Sequence, residues 1–206
     1  MKMCAFASRN TKEILHDRLN VVFGLGFVSL FSATVISKDR SSSLMLRLYS
    51  SPMRPADYIL GYTLPLLPMS IAQTLICFAA ALALGLEWSV NILLCVAVLI
   101  PAMLMFIAVG LICGTLLNDK QVGGICGALL TNLTAWLSDT WFDVSLVGGA
   151  FEKIANALPF IHAVKAGRAA YNGVLSAIMP ELWWVIAYAA VLMLLAAVVF
   201  KKKMKI

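Results

Sequence analysis

Long apolar runs separated by short basic segments constrain the fold of this 206-residue chain more than any other feature. A membrane-crossing helix needs about 20 mainly apolar residues, because the hydrocarbon layer is about 30 Å thick and each residue rises about 1.5 Å. Four segments meet that test: residues 58–86, 92–117, 122–142 and 182–200. A fifth, residues 19–37, is long enough but weaker, since it carries Asn20, Gly24, Gly26, Ser29, Ser32, Thr34 and Ser37. Composition agrees. Hydrophobic residues make up 62% of the chain and charged residues 13%, with a mean hydropathy of +0.92. Soluble domains hold roughly 45–50% and 25%, and a globule of this size has too little polar surface to hide the excess. The expected fold is an all-α integral membrane protein, a polytopic helix bundle with four strong spans and one weak one.

The net charge of +6 does not point to nucleic acid, because the basic residues gather in the segments between apolar runs. Lys38, Arg40, Arg47 and Arg54 lie in residues 38–57, Lys120 lies in the turn 118–121, and Lys201, Lys202, Lys203 and Lys205 fill the tail 201–206. Short basic loops stay in the cytoplasm, so the last four spans alternate with a cytoplasmic C-terminus. The weak span breaks the pattern: Lys2, Arg9, Lys12 and Arg18 precede it, and both its flanks want the same side. Four of the five cysteines, Cys77, Cys95, Cys113 and Cys126, sit within apolar runs without metal-ligand spacing, and Cys4 lies near the N-terminus. Such thiols act as small hydrophobes. Residues 1–4 open no signal peptide.

Pro65 and Pro68 each remove a backbone donor, so a kink or an interfacial first turn is expected near them. Gly110-xxx-Gly114 and Gly123-xxx-Gly127 place small residues on one helix face, where backbones can approach closely. Residues 143–181 are less apolar. Phe151, Ile154, Ala155 and Leu158, then Ile161, Val164 and Ala169, recur at helical spacing around Pro159. That pattern predicts two short amphipathic helices at or dipping into the outer face.

The middle of every strong span lacks Asp, Glu, Lys, Arg and His, whereas ion-coupled transporters carry such groups within their spans. Asp139 stands about one turn from the outer end of its span. It reads as a hydrated helix-end residue or as the polar lining of an outward vestibule. Ser138, Asp139 and His162 supply the letters of a nucleophilic triad, but neither a GxSxG elbow nor an HExxH pair accompanies them. His162 therefore reads as an interfacial or packing histidine, and Glu181, after Pro180, as a helix-start residue. No GxxxxGK[ST] loop occurs in the chain. Any active transport draws its energy from another polypeptide, and no catalytic, metal or cofactor residue is expected on this one. In the loop 38–57, Ser41–Ser43 can cap a short helix whose Leu44 and Leu48 share a face beside Arg47, stopped by Pro52 and Pro55. Such a helix can dock into a groove on a soluble partner or lie on anionic lipid.

The run Leu44-Met45-Leu46-Arg47-Leu48-Tyr49-Ser50-Ser51-Pro52-Met53, followed by Tyr58-Ile59-Leu60-Gly61, resembles a segment of ABC transporter permeases of the type-2 exporter family. Asn118-Asp119-Lys120-Gln121-Val122-Gly123-Gly124 resembles that family's turn into its fifth span. Leu137-Ser138-Asp139-Thr140-Trp141-Phe142 resembles its "L-S-G-x-W-F/I" span end, and Pro159-Phe160-Ile161-His162 with Arg168 fits its "P-F/L-x-H/Y-x5-R" tail. The resemblance implies a permease subunit for drug-, lipid- or peptide-like cargo in a prokaryotic plasma membrane. It implies a second permease chain, homo- or heterodimeric, and a separate ATPase subunit that holds the ATP and magnesium. Residues 41–53 would be the coupling helix, with Leu44, Arg47, Leu48 and Pro52 as its contacts. Residues 147–171 would match the re-entrant outer helices that carry Pro159, His162 and Arg168, with Asp139 at the neighbouring span end. Residues 1–18 would match an interfacial helix before the first span, and residues 58–200 the permease core.

Two departures stand out. Asp139 occupies the glycine position of the "L-S-G" motif, which puts close packing there in question. Family members have six spans and this chain offers five, as though the first two were fused within residues 19–37. The alternatives are an ATPase-independent scaffold or channel, and a truncated paralogue that no longer transports.

Overall fold

The computed structural model describes residues 28–30, 32–38 and 55–204. The segment 41–53 with Leu44, Arg47, Leu48 and Pro52, residues 1–18, and the first part of the weak span lie outside the described residues.

The described chain is helical throughout its long segments. Helix α1 (Val28–Lys38) is the second part of the weak span. Helix α2 (Pro55–Ala83) begins on a proline, whose missing N–H costs nothing at a first helical position, and runs past Pro65 and Pro68 without interruption. Helix α3 (Asn91–Leu116) starts where the Asn91 amide donates to the Ser89 hydroxyl at 3.2 Å. It ends at Leu117, which turns extended.

A new helix then starts at once. The Gln121 side chain accepts from the Asn118 amide at 3.0 Å, which fills a backbone donor that a helix start leaves open. Helix α4 (Asp119–Val122) passes into a π-helical stretch, Gly123–Leu130, and then into α5 (Thr131–Leu137). The paired glycines Gly123 and Gly124 favour the wide turn, and polar side chains satisfy the carbonyls along it. Thr131 donates to the Cys126 carbonyl at 3.2 Å, Asn132 to Ala128 at 2.8 Å and Thr134 to Leu130 at 2.7 Å. In lipid such carbonyls have no water to turn to. The strong span expected over 122–142 is thus an α–π–α composite, while among the described residues three unbroken helices are long and apolar enough to cross a membrane.

Three short helices follow: α6 (Val144–Val147), α7 (Gly149–Ala157) and α8 (Pro159–Tyr171). The last helix, α9 (Leu175–Met204), starts seven residues before the expected apolar run and keeps Pro180 inside it. Glu181 is therefore not a helix-start residue; it sits in the second turn.

Helix α3 is the axis of the bundle, packed by α2, α8 and most extensively by α9. Met103, Met105, Phe106, Ile107 and Leu111 are buried on it, and Phe106 stacks on Phe160 of α8 at 6.0 Å between ring centroids. Gly110 and Gly114 meet α1 backbone to backbone. A Cβ on Gly110 would lie 2.5 Å from the Ser32 side chain, and one on Gly114 would lie 2.7 Å from the Ala33 carbonyl. The Ser32 hydroxyl uses that proximity to donate to the Ile107 carbonyl at 3.2 Å. Of the two small-residue pairs, this one marks a contact within the chain. Gly123 faces open space, and Gly127 meets only the Leu30 methyls at 3.5 Å.

The two ends of the bundle differ chemically. Lys38, Lys120 and Lys201–Lys203 mark one end. All five tryptophans, Trp88, Trp136, Trp141, Trp183 and Trp184, lie toward the other and are at least 48% exposed, as in an interfacial aromatic belt.

Candidate functional site

At the tryptophan-rich end the chain leaves α5 through Ser138, Asp139 and Thr140, and then folds a helical hairpin back into the bundle. Leu158 is the only residue between α7 and α8. It is extended (φ −91°, ψ 151°), as a residue before proline prefers, and Pro159 starts α8 at once. Of the two expected positions, at the outer face or dipping into it, α8 takes the second. Phe160, Ile161, Ala163, Val164, Ala166 and Ala170 are all buried against α3 and α9. Asn91 at the start of α3 donates to the Tyr171 carbonyl at 3.0 Å, and the Cys95 thiol donates to Gly167 at 3.5 Å. Phe160 therefore lies about 16 Å along α8 from that end of the bundle, inside it.

His162 is carried in with it, about 14 Å along the helix from Tyr171. Its Nδ1 meets the Glu181 carboxylate of α9, and its Nε2 faces the Asn156 carbonyl at 2.8 Å. The ring also stacks on Trp184 at 5.2 Å, with 6° between the planes. His162 and Glu181 side chains are only 11% and 25% exposed. This pair gives the histidine, read from sequence as interfacial or packing, a specific partner in Glu181, which the sequence had read as a helix-start residue. A buried polar group is costly unless it is hydrogen-bonded, and here each of the two meets the other. A second polar tie follows nearby, where the Tyr188 hydroxyl donates to the Ala157 carbonyl at 2.7 Å.

Asp139 anchors the other side of the hairpin. Its backbone is left-handed (φ 62°), the conformation that glycine adopts freely and that Asp tolerates better than most residues. The "L-S-G" glycine thus has a local reason, and Asp139 meets it with compensating bonds. The Val144 amide donates to Oδ1 at 2.9 Å. Arg168 of α8 forks onto the same residue, with Nη1 on Oδ2 at 3.0 Å and Nη2 on the main-chain oxygen at 2.9 Å. Close packing survives the glycine's replacement: the Asp139 side chain is 17% exposed, against 40% for Arg168. Asp143 then caps α6 by accepting from the Ser145 amide at 2.9 Å and hydroxyl at 2.6 Å. The Ser145 hydroxyl, then its amide and the Arg168 charge, hold the Asp143 carboxyl below its ordinary range.

Of the sequence-proposed residues, the structure brings Asp139 and Arg168 into contact and places Pro159 and His162 at the buried tip of the same hairpin. It does not assemble a triad. The Ser138 hydroxyl donates to Ala135 at 3.1 Å and pairs with Thr140, while His162 turns to Glu181. Among the described residues no group of three or more His, Cys, Asp and Glu side chains is placed to hold a metal ion. Sequence reasoning missed the pairing of Glu181 with His162, and the signal was a lone carboxylate in the first turns of a long apolar helix. The arrangement ties a helical hairpin to the segment after α5 through the Arg168–Asp139 ion pair and to α9 through the His162–Glu181 hydrogen bond.

No curated protein and no solved structure matches the chain. The sequence model of the ABC-2 type transporters matches residues 4–172, which includes the hairpin, α1 to α8 and the segment 41–53. This multi-pass helical chain therefore belongs to the ABC-2 type transporter family, as a membrane permease component of an ABC transporter.

Proposed function

We propose that the chain is the permease subunit of an ATP-driven exporter in a prokaryotic plasma membrane, paired with a second permease chain and with a separate ATPase subunit. The family match over residues 4–172 carries this reading. Orientation is argued from the two ends of the bundle. The lysine-rich end, with Lys201–Lys203, Lys120 and Lys38, faces the cytoplasm by the rule that basic flanks stay inside. The tryptophan-rich end with the α7–α8 hairpin is then the outer one, and the hairpin is the outer re-entrant segment.

Residues 41–53 then lie on the cytoplasmic side between α1 and α2, where Leu44, Arg47, Leu48 and Pro52 meet the ATPase. Nucleotide-driven closure of the ATPase pair moves this segment, and the spans rock between inward- and outward-open states. Cargo is a drug-, lipid- or peptide-like molecule, a reading that rests on the family alone. Arg47→Glu or Leu48→Asp should uncouple ATP hydrolysis from transport while membrane insertion stays intact. Transport by these variants equal to that of the parent would overturn the coupling role. Affinity purification from the native membrane should bring down a nucleotide-binding subunit; its absence would favour an ATPase-independent scaffold or channel.

A further inference from the structure

Two cysteines that the transport reading does not use share one small cluster near the lysine-rich end. Cys113 is one turn before Leu117, where α3 ends, and Cys126 is one turn after Val122, where α4 ends. The turn between the helices is two residues long, Leu117 and Asn118, so the two positions stand across a tight helical hairpin. Both thiols belong to one small apolar cluster with Leu30 and Ala33 of α1, Leu117 and Val122. Both are free thiols. They differ in access: Cys126 is fully buried, whereas Cys113 is partly exposed. The π-helical stretch sets this register, because it carries Cys126 inward while its neighbours Gly123, Gly124 and Ile125 stay exposed.

We propose that Cys113 and Cys126 form a reversible redox pair, which a membrane-soluble hydroperoxide converts to a disulfide that staples α3 to the π-helical span. Cys113, the accessible thiol, gives up its proton and its sulfur attacks the outer peroxide oxygen. The O–O bond breaks, Cys113 becomes a sulfenic acid, and the alkoxide takes up the proton and leaves as an alcohol. The Cys126 sulfur then attacks the sulfenic sulfur, the S–O bond breaks, and the departing hydroxide leaves with the Cys126 proton as water. Two thiols are oxidised and one hydroperoxide is reduced. An apolar setting favours an oxidant that partitions into lipid. A disulfide formed near the cytoplasmic face would be returned to thiols by cellular reductants, as a switch requires. Pair formation does not depend on the chain's being an exporter.

The chain itself supplies the test. Lys120 is exposed and lies between the two cysteines. Lysine-specific cleavage therefore places them on separate peptides, residues 39–120 and 121–153. Full-length protein in native membranes is treated with cumene hydroperoxide, alkylated, digested without reductant and examined by mass spectrometry. The expected result is one linked species, lighter than the two peptides by two hydrogens and lost on reduction. The same species should form with Cys4, Cys77 and Cys95 replaced by alanine, and should vanish in Cys126→Ser. A moved thiol, Cys126→Ser with Ala128→Cys, presents the sulfur on the exposed face and should link poorly. Separate alkylated peptides after treatment, or equal linking by the moved thiol, would overturn the proposal. Parent and variants are compared at equal membrane insertion, and the parent measurement needs no variant to fold.

Discussion

The two ends of the bundle are held together by different forces. At the lysine-rich end α1 lies on α3 through glycines: Gly110 and Gly114 leave no room for a Cβ, and the contact is backbone on backbone. At the tryptophan-rich end the ties are polar, with Arg168 on Asp139, Glu181 on His162, Tyr188 on Ala157 and Tyr171 on the Glu87 carbonyl at 3.0 Å. The contrast follows from the chain's path. Continuous helices satisfy their own backbone groups, so close packing is the contact left to improve in lipid. A hairpin with breaks at Ser138, Gly148 and Leu158 exposes free backbone groups and brings charged side chains, which have to be met one by one.

Breaking the glycine contact should have the largest effect. Gly110→Leu drives a branched side chain into Ser32 and the Ser29 carbonyl, an overpacking that costs about 1–3 kcal/mol or more. Thermal unfolding in detergent should fall by several degrees. Gly123→Leu, which adds atoms where nothing lies within 4 Å, should change little. Equal effects of the two would erase the distinction between these faces.

Removing the polar clamp comes next. Arg168→Ala leaves a mostly buried Asp139 carboxylate unpaired, an effect of about 1–2 kcal/mol given the exposure of the arginine. It should raise protease sensitivity between α5 and α8 before it lowers global stability. Asp139→Gly should cost less than Asp139→Ala, because only glycine keeps the left-handed backbone without strain. The reverse order would show that the backbone conformation at this position is unimportant.

The smallest effect belongs to Asp143, which is fully exposed. Its carboxyl is held below the ordinary range by the Ser145 hydroxyl first and the Ser145 amide second. A depressed folded-state value stabilises above the unfolded one and is lost as pH falls through the folded one. Acidification below the ordinary carboxylate range should therefore loosen α6, seen as faster amide exchange at Ser145. In Asp143→Asn that acid-dependent change should disappear while exchange at neutral pH stays close to the parent's.

The spans were legible because burial in lipid is a property of each segment's own composition. Residues 58–86 and 92–117 carry it in every window, and α2 and α3 appear within a few residues of the expected bounds. The Gly110 and Gly114 pattern was visible too, but not its partner, since a small-residue face says that something approaches and not what. The hairpin was harder to read. Its helical spacing around Pro159 left open whether the helices lie at the outer face or dip into it, and α8 buries its apolar side chains against α3 and α9. Its buried histidine is matched by Glu181, nineteen residues on, and no local periodicity joins those positions.

Composition and order alone determined that this chain is a helical membrane protein, because apolar run length and basic flanks act locally on each crossing, and its permease type was legible only through motifs that resemble a known family. Only the tertiary structure decided that α3 is the axis, that Asp139 takes the left-handed backbone, that Arg168 meets Asp139 and that Glu181 meets His162. Those outcomes depend on distances between residues far apart in the chain, and such distances exist only once the helices have packed.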